Sequence, residues 1–169
     1  FKFATRLAAL VVVSLLIRPV WASSFWFADD EKLYQFNSST NTVDRSIELE
    51  GIRALATTSD GSVWVSSKKR LALIRPTGAV AVDVSSKSLL LSEIGQIALN
   101  IRDGSLWLAE EKDDDGEESG RSIDRRIVRV DANGALVQEF SISSKVRGLT
   151  AGLDQTLWVL GEGQLWHFS

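Results

Sequence analysis

The chain has 169 residues, of which 44% are hydrophobic and 24% charged, and its formal net charge is −3. This is the composition of a globular protein, and it excludes a disordered chain. The absence of cysteine excludes a disulfide framework and a thiolate metal site.

Residues 1–22 have the layout of a secretory signal peptide. An apolar run over 7–17 follows the positive Lys2 and Arg6, and Ala22 provides a small residue before the cleavage point. A transmembrane helix needs about 20 apolar residues, so this run is too short to form a stable membrane span. We expect cleavage after Ala22 and a secreted or periplasmic product, with an uncleaved anchor as the alternative.

Removal of the signal peptide changes the charge of the chain. It would take away three basic residues and no acid, which leaves 16 basic and 22 acidic residues and a net charge of −6. Nucleic-acid binding depends on basic contacts with phosphates, so we expect no nucleic-acid partner. The expected partner is a protein or a small molecule whose identity the sequence does not give.

Four tryptophans mark a repeat that runs through the remainder of the chain. They are separated by 38, 43 and 51 residues, and the last spacing falls to 38 when a 13-residue insertion is removed. The last three have an aspartate four residues earlier, as in Asp60-Gly61-Ser62-Val63-Trp64. Self-similarity at a nearly fixed period indicates a repeat array. The four structural repeat positions are Trp26, Trp64, Trp107 and Trp158.

Each repeat is predicted to contain four short strands joined by tight turns. Asp-Gly and Asn-Gly pairs occur where the chain must reverse, and they supply the positive φ that hairpin turns need. A four-stranded unit of about 40 residues is typical of a β-propeller blade. We therefore predict an all-β propeller of four-stranded antiparallel blades, with a sandwich or barrel as the alternative. The predicted blades are 24–50, 51–86, 94–143 and 145–169.

Two of these blades are predicted to be complete and two partial. The first copy lacks the strand that precedes the tryptophan strand in the others, and the last copy lacks the outer strand. We therefore expect a fragment of a larger ring, of six or seven blades, that is aggregated, oligomeric or partly unfolded when expressed alone. The tryptophans are expected to fill the space between adjacent sheets.

The segment from Ala98 to Glu110, continued from Arg126 to Phe140, resembles a blade of the streptogramin-lyase-like propellers. Gly148 to Trp158 is similar to the same pattern, and NHL repeats and the sensor propellers of two-component regulators are close to it. The resemblance covers about residues 24–169 and implies the fold. The resemblance to the lyases also implies a catalytic histidine and a metal ion in the central opening of the propeller. The only histidine here is His167, expected to be packed or at the surface, so we assign no catalytic or cofactor-binding residue.

An acidic insertion occupies residues 111–125 of the third repeat. Glu111, Asp113 and Asp115 alternate as at the start of a calcium-binding loop, but a loop counted from Glu111 needs glutamate at position 122, where Ser122 stands. We interpret the insertion as a solvated loop. The alternative hypothesis is a weak calcium site made by Glu110, Asp113 and Asp115, and no other cofactor is expected.

These observations predict an exported propeller that acts as a recognition or scaffold module. One alternative is a propeller-type lyase or lactonase whose active-site residues lie outside this chain. The other is the periplasmic sensor domain of a two-component receptor. Enzyme activity is left open, and the absence of the family's catalytic set from this chain favours a binding role.

Overall fold

The computed structural model of the chain describes residues 24–111 and 124–169, which form four antiparallel sheets. The predicted signal peptide and the insertion residues 112–123 lie outside the described residues. Within the two described ranges no helix has the length and apolar character needed to cross a membrane. The strands are β1 (Ser24–Ala28), β2 (Lys32–Asn37), β3 (Thr42–Glu48), β4 (Ile52–Thr57), β5 (Val63–Ser67), β6 (Arg70–Ile74), β7 (Val80–Ser85), β8 (Glu93–Leu99), β9 (Leu106–Glu111), β10 (Arg125–Val130), β11 (Leu136–Ile142), β12 (Gly148–Ala151), β13 (Leu157–Leu160) and β14 (Leu165–Phe168).

Each sheet is a meander in which strands that follow one another in the chain are hydrogen-bonded neighbours. The second sheet is β4 to β7 and the third is β8 to β11, whereas the first contains β1 to β3 and the fourth β12 to β14. The described residues thus form two sheets of four strands and two of three, which confirms the predicted two complete and two partial blades. The tryptophan strands are β1, β5, β9 and β13, so within the described residues the first sheet has no strand that corresponds to β4.

An aspartate closes the turn that precedes three of the tryptophan strands. Asp60 accepts hydrogen bonds from the backbone N–H of Ser62 at 3.0 Å and from its hydroxyl at 3.1 Å. The hydroxyl of Thr58, and then the groups of Ser62, lower the pKa of Asp60 because they bind the ionised carboxylate. The residue after the aspartate has a positive φ, 81° at Gly61. The equivalent hydrogen-bonded pairs are Asp103 with Ser105 and Asp154 with Thr156.

Apolar clusters fill the space between successive sheets. Because side chains alternate along a strand, one strand can serve two boundaries. In β5, Val63 and Val65 pack with the first sheet, whereas Trp64 packs with Ile94 and Leu106 of the third. All five residues of β5 are buried, which explains why its sequence is apolar at odd and even positions alike.

The turn before the outer strand of one sheet packs closely on the outer strand of the preceding sheet. Gly134 has a φ of 81°, and a Cβ placed there would lie 2.9 Å from Val82 and 2.8 Å from Val84 of β7. At the equivalent Gly78, a Cβ would lie 2.6 Å from Nη1 of Arg45 in β3. Both positions therefore favour glycine for the backbone conformation, and Gly134 also requires it for the contact with Val82 and Val84, whereas the flexible Arg45 side chain can move away from Gly78.

We predict that Gly134→Ala lowers the free energy of unfolding by about 2–5 kcal/mol. The positive φ costs about 1–2 kcal/mol with a side chain present, and displacement of Val82 and Val84 adds about 1–3 kcal/mol. The matched control is Gly163→Ala, because Gly163 has a φ of 71° and a Cβ there would meet no atom within 4 Å. Urea unfolding measures both variants, and equal losses would contradict the packing role of Gly134.

Candidate functional site

Polar side chains from three successive sheets converge on an open cavity of ≈ 240 Å³. Arg53 comes from β4 of the second sheet, Gln96, Glu111 and Arg125 come from the third sheet, and Lys145 precedes β12 of the fourth. The remaining lining residues are Gly95, Ala109, Glu110 and Val146. This cavity is the candidate functional site because residues far apart in the sequence contribute polar groups to one opening.

The cavity lies where the first strands of the sheets approach one another, since β8 contacts both β4 and β12. The pairing register shifts between Ile52 and Ala54 in β4 and between Ile94 and Gln96 in β8. Such a bulge inserts one extra residue and redirects the strand's side chains. The extra residues are Arg53 and Gly95, which therefore occupy equivalent places in consecutive repeats.

Contacts across both sheet boundaries shape the opening. A Cβ at Gly95 would lie 3.0 Å from Cβ of Glu111, so glycine leaves the room that this side chain occupies. Oε2 of Glu111 lies 3.9 Å from Nε of Arg53, which links the third sheet to the second. Nε2 of Gln96 donates a hydrogen bond of 3.1 Å to the carbonyl oxygen of Arg147, which links the third sheet to the fourth.

Glu110 is a buried carboxylate that joins three segments at the cavity wall. It is 6% exposed. Its Oε1 accepts hydrogen bonds of 2.9 Å from the backbone N–H and the hydroxyl of Ser92, just before β8. Its Oε2 accepts the backbone N–H of Arg126 in β10 at 3.2 Å. The carboxylate of Glu110 is thus engaged by its own chain, and it fixes the strand ends that surround the cavity.

The charges around the cavity favour an anionic ligand. Arg53, Arg125 and Lys145 are cationic, and Glu110 and Glu111 are anionic. Glu110 accepts hydrogen bonds from Ser92 and Arg126, and Glu111 lies near Arg53. The Arg53–Glu111 distance of 3.9 Å exceeds that of a hydrogen bond, so this ion pair is loose.

The predicted calcium ligands are only partly within the described residues. Glu110 lines the cavity, whereas Asp113 and Asp115 lie outside the described ranges. Within 24–111 and 124–169 no group of three histidine, aspartate or glutamate side chains is placed to hold a metal ion. Calcium binding at this loop stays a prediction.

The four repeat tryptophans lie away from the cavity and differ in exposure. Trp64 and Trp107 are buried between sheets, and Trp26 is half-buried, with its Nε1 donating to the carbonyl oxygen of Gly61 at 2.9 Å. Trp158 is 40% exposed and stacks on His167, with 4.3 Å between ring centroids. The expected location between two sheets therefore does not hold for Trp158, because no described sheet covers its side of the fourth sheet.

Sequence reasoning did not identify Arg53, Gln96 or Lys145 as site residues. One signal was present, because Ile52-Arg53-Ala54 and Val146-Arg147-Gly148 match as the start of the first strand in two repeats. The bulge that directs Arg53 depends on strand pairing and has no local signature in these residues.

Comparison with known proteins shows similarity at the level of structure. No protein-family model and no curated protein matches the sequence. Virginiamycin B lyase from Staphylococcus aureus is similar with a TM-score of 0.61 and 19% identity, over 86% of this chain and 52% of that chain. BamB from Moraxella catarrhalis has a TM-score of 0.61 and 14% identity, over 88% of this chain and 40% of that chain. The WD40 domain of Neurospora crassa Pan2 has a TM-score of 0.63 and 9% identity, over 83% of this chain and 41% of that chain.

These similarities establish the fold and nothing finer, because the identities are low. The chain is a β-propeller of antiparallel blades, in agreement with the resemblance of its repeat to the streptogramin-lyase-like propellers. It spans about half the length of these solved structures or less.

We predict that Glu110→Ala lowers the free energy of unfolding by about 1–3 kcal/mol, because the part-buried hydrogen bonds from Ser92 and Arg126 lose their acceptor. Glu111→Ala is the matched control, since the Glu111 side chain is 41% exposed and its ion pair is loose. Glu111→Ala should lower the free energy of unfolding by less than about 1 kcal/mol. Urea unfolding of both variants tests this, and a Glu110→Ala protein as stable as the parent would contradict the anchoring role.

Proposed function

We propose that this chain is an exported recognition module that binds a small anionic molecule in the cavity at the first strands. The observation that carries the proposal is the convergence of polar side chains from three sheets on one open cavity. Small-molecule sites use a few placed polar groups to orient a ligand that concave walls surround. The layout of residues 1–22 supports export.

Arg53 is the residue best placed to recognise an anion. Its side chain is 37% exposed and meets Glu111 only at 3.9 Å, so it can exchange this partner for a ligand. A guanidinium presents a planar fork of donors that matches a carboxylate with two parallel hydrogen bonds. Lys145 and Arg125 add positive charge, and the amide of Gln96 adds a neutral donor and acceptor. A small carboxylate fits this set of groups.

The catalytic and sensor alternatives draw no specific support from the cavity. His167, the only histidine of the chain, lies on the fourth sheet against Trp158 and does not line the cavity. A lyase of the kind that the sequence resembles would therefore need its catalytic histidine from outside this chain. A sensor would share the binding cavity and differ in the domain that reads it out.

We predict that Arg53→Gln weakens binding of small carboxylates by about tenfold to a hundredfold, the value of one charge-assisted hydrogen-bonding group. The measurement is isothermal titration calorimetry with a panel of mono-, di- and tricarboxylates, beginning with succinate. The matched control is Arg102→Gln, since Arg102 lies exposed in the β8–β9 turn, outside the cavity lining. Binding that is absent from the parent, or equal in parent and Arg53→Gln, would contradict the proposed site.

We predict that expression in a bacterial host, with a start codon supplied, gives a periplasmic or secreted protein that begins at Ser23. Intact-mass measurement of the purified protein checks the cleavage point. Ala22→Arg should prevent cleavage, because the position before the cut requires a small residue. A cytoplasmic product that keeps residues 1–22 would contradict export without affecting the binding test.

A further inference from the structure

Two oppositely charged side chains of the cavity come from different sheets and form a loose ion pair. Oε2 of Glu111 lies 3.9 Å from Nε of Arg53, beyond hydrogen-bonding distance, and the two side chains are 41% and 37% exposed. A Cβ at Gly95 would lie 3.3 Å from the same Oε2, so the carboxylate of Glu111 lies over the glycine at the bulge of β8. The cavity therefore presents a positive and a negative group side by side.

The fourth sheet shows the same two residue types in direct contact. Arg147 and Glu162 hold the places in that repeat that Arg53 and Glu111 hold in theirs, and Nη2 of Arg147 donates a hydrogen bond to Oε1 of Glu162. The second sheet has Lys68 at the place of the acid, so Arg53 meets a cation there in its own repeat. Arg53 and Glu111 instead approach each other across a sheet boundary, at a distance that lets each exchange its partner.

We propose that the cavity selects a small carboxylate that also carries an ammonium group, with the ligand carboxylate on Arg53 and the ammonium group on Glu111. This inference rests on the proposed function and names the ligand class more narrowly. A guanidinium binds a carboxylate through two parallel hydrogen bonds, and an ammonium group donates charge-assisted hydrogen bonds to a carboxylate. Such a ligand gives each half of the loose ion pair a closer partner of the correct charge.

A carboxylate that lacks the ammonium group is a poorer match. Its negative charge would lie beside that of Glu111, and two like charges a few ångströms apart repel each other more strongly in a partly buried site than in bulk water. The ammonium group turns this repulsion into attraction. Arg125 and Lys145 also line the cavity, and their positive charge suits a second carboxylate on the same ligand. The favoured ligand is therefore an acidic α-amino acid, which carries two carboxylates and one ammonium group.

The test compares L-aspartate with succinate by isothermal titration calorimetry, because the two molecules differ only in the amino group. The parent chain should bind aspartate about tenfold more tightly than succinate, the effect of one charge-assisted hydrogen bond. In Glu111→Gln this preference should disappear. Aspartate binding should weaken because the attraction is lost, and succinate binding should tighten because the repulsion is lost. Retained succinate binding also shows that the variant is folded.

Glu162→Gln is the matched control, since Glu162 holds the same repeat position and lies outside the cavity lining; it should keep the preference for aspartate. A parent that binds both ligands equally, and needs Arg53 for both, would overturn the role of Glu111 and leave the proposed site standing. Tightening of both ligands in Glu111→Gln would show that Glu111 only competes with the ligand, which also overturns the inference. A parent that binds neither ligand would overturn the proposed function and this inference together.

Discussion

Packing between neighbouring sheets through alternate side chains of the second strand is the interaction on which the remaining structure depends. A small antiparallel sheet has two apolar faces and cannot bury either alone, so each sheet relies on its neighbours. Trp64 and Trp158 hold the same repeat position, yet Trp64 is 1% exposed and Trp158 is 40% exposed. Among the described residues a sheet packs on the Trp64 side of the second sheet, and none packs on the Trp158 side of the fourth, while the two strands have similar sequences.

The candidate site is a consequence of this packing. When the sheets pack at fixed separations, their first strands come together, and residues more than 40 positions apart such as Arg53 and Gln96 reach one cavity. The bulges then decide which side chain enters the opening, and the buried carboxylate of Glu110 holds the surrounding strand ends. The scaffold supplies position, and a few residues at the strand ends supply the chemistry.

The sequence predicts the sheets well because their signals are local and repeated. The aspartate before the tryptophan and the Asn-Gly pair at Gly134 each shape a local turn, and the tryptophan recurs at one position of the repeat, so these signals can be recognised from neighbouring residues alone. The cavity, by contrast, cannot be predicted from local signals. Arg53 enters it through a shift of register between β4 and β5, and Lys145 enters it because the fourth sheet packs on the third. Both causes are long-range, and neither leaves a pattern in neighbouring residues.

The positions that differ between repeats carry the specific chemistry of this chain. Glycine before the outer strand and aspartate before the tryptophan recur because each repeat needs the same turn and the same approach between sheets. The residue paired with the position just before the bulge does not recur, since it is Ser67 in the second sheet and Glu110 in the third. A serine there is compatible with the boundary, so packing between sheets does not demand the carboxylate. The repeat thus leaves the strand ends open to substitution, and a cavity with its own charge pattern can form there without altering the interfaces that hold the propeller together.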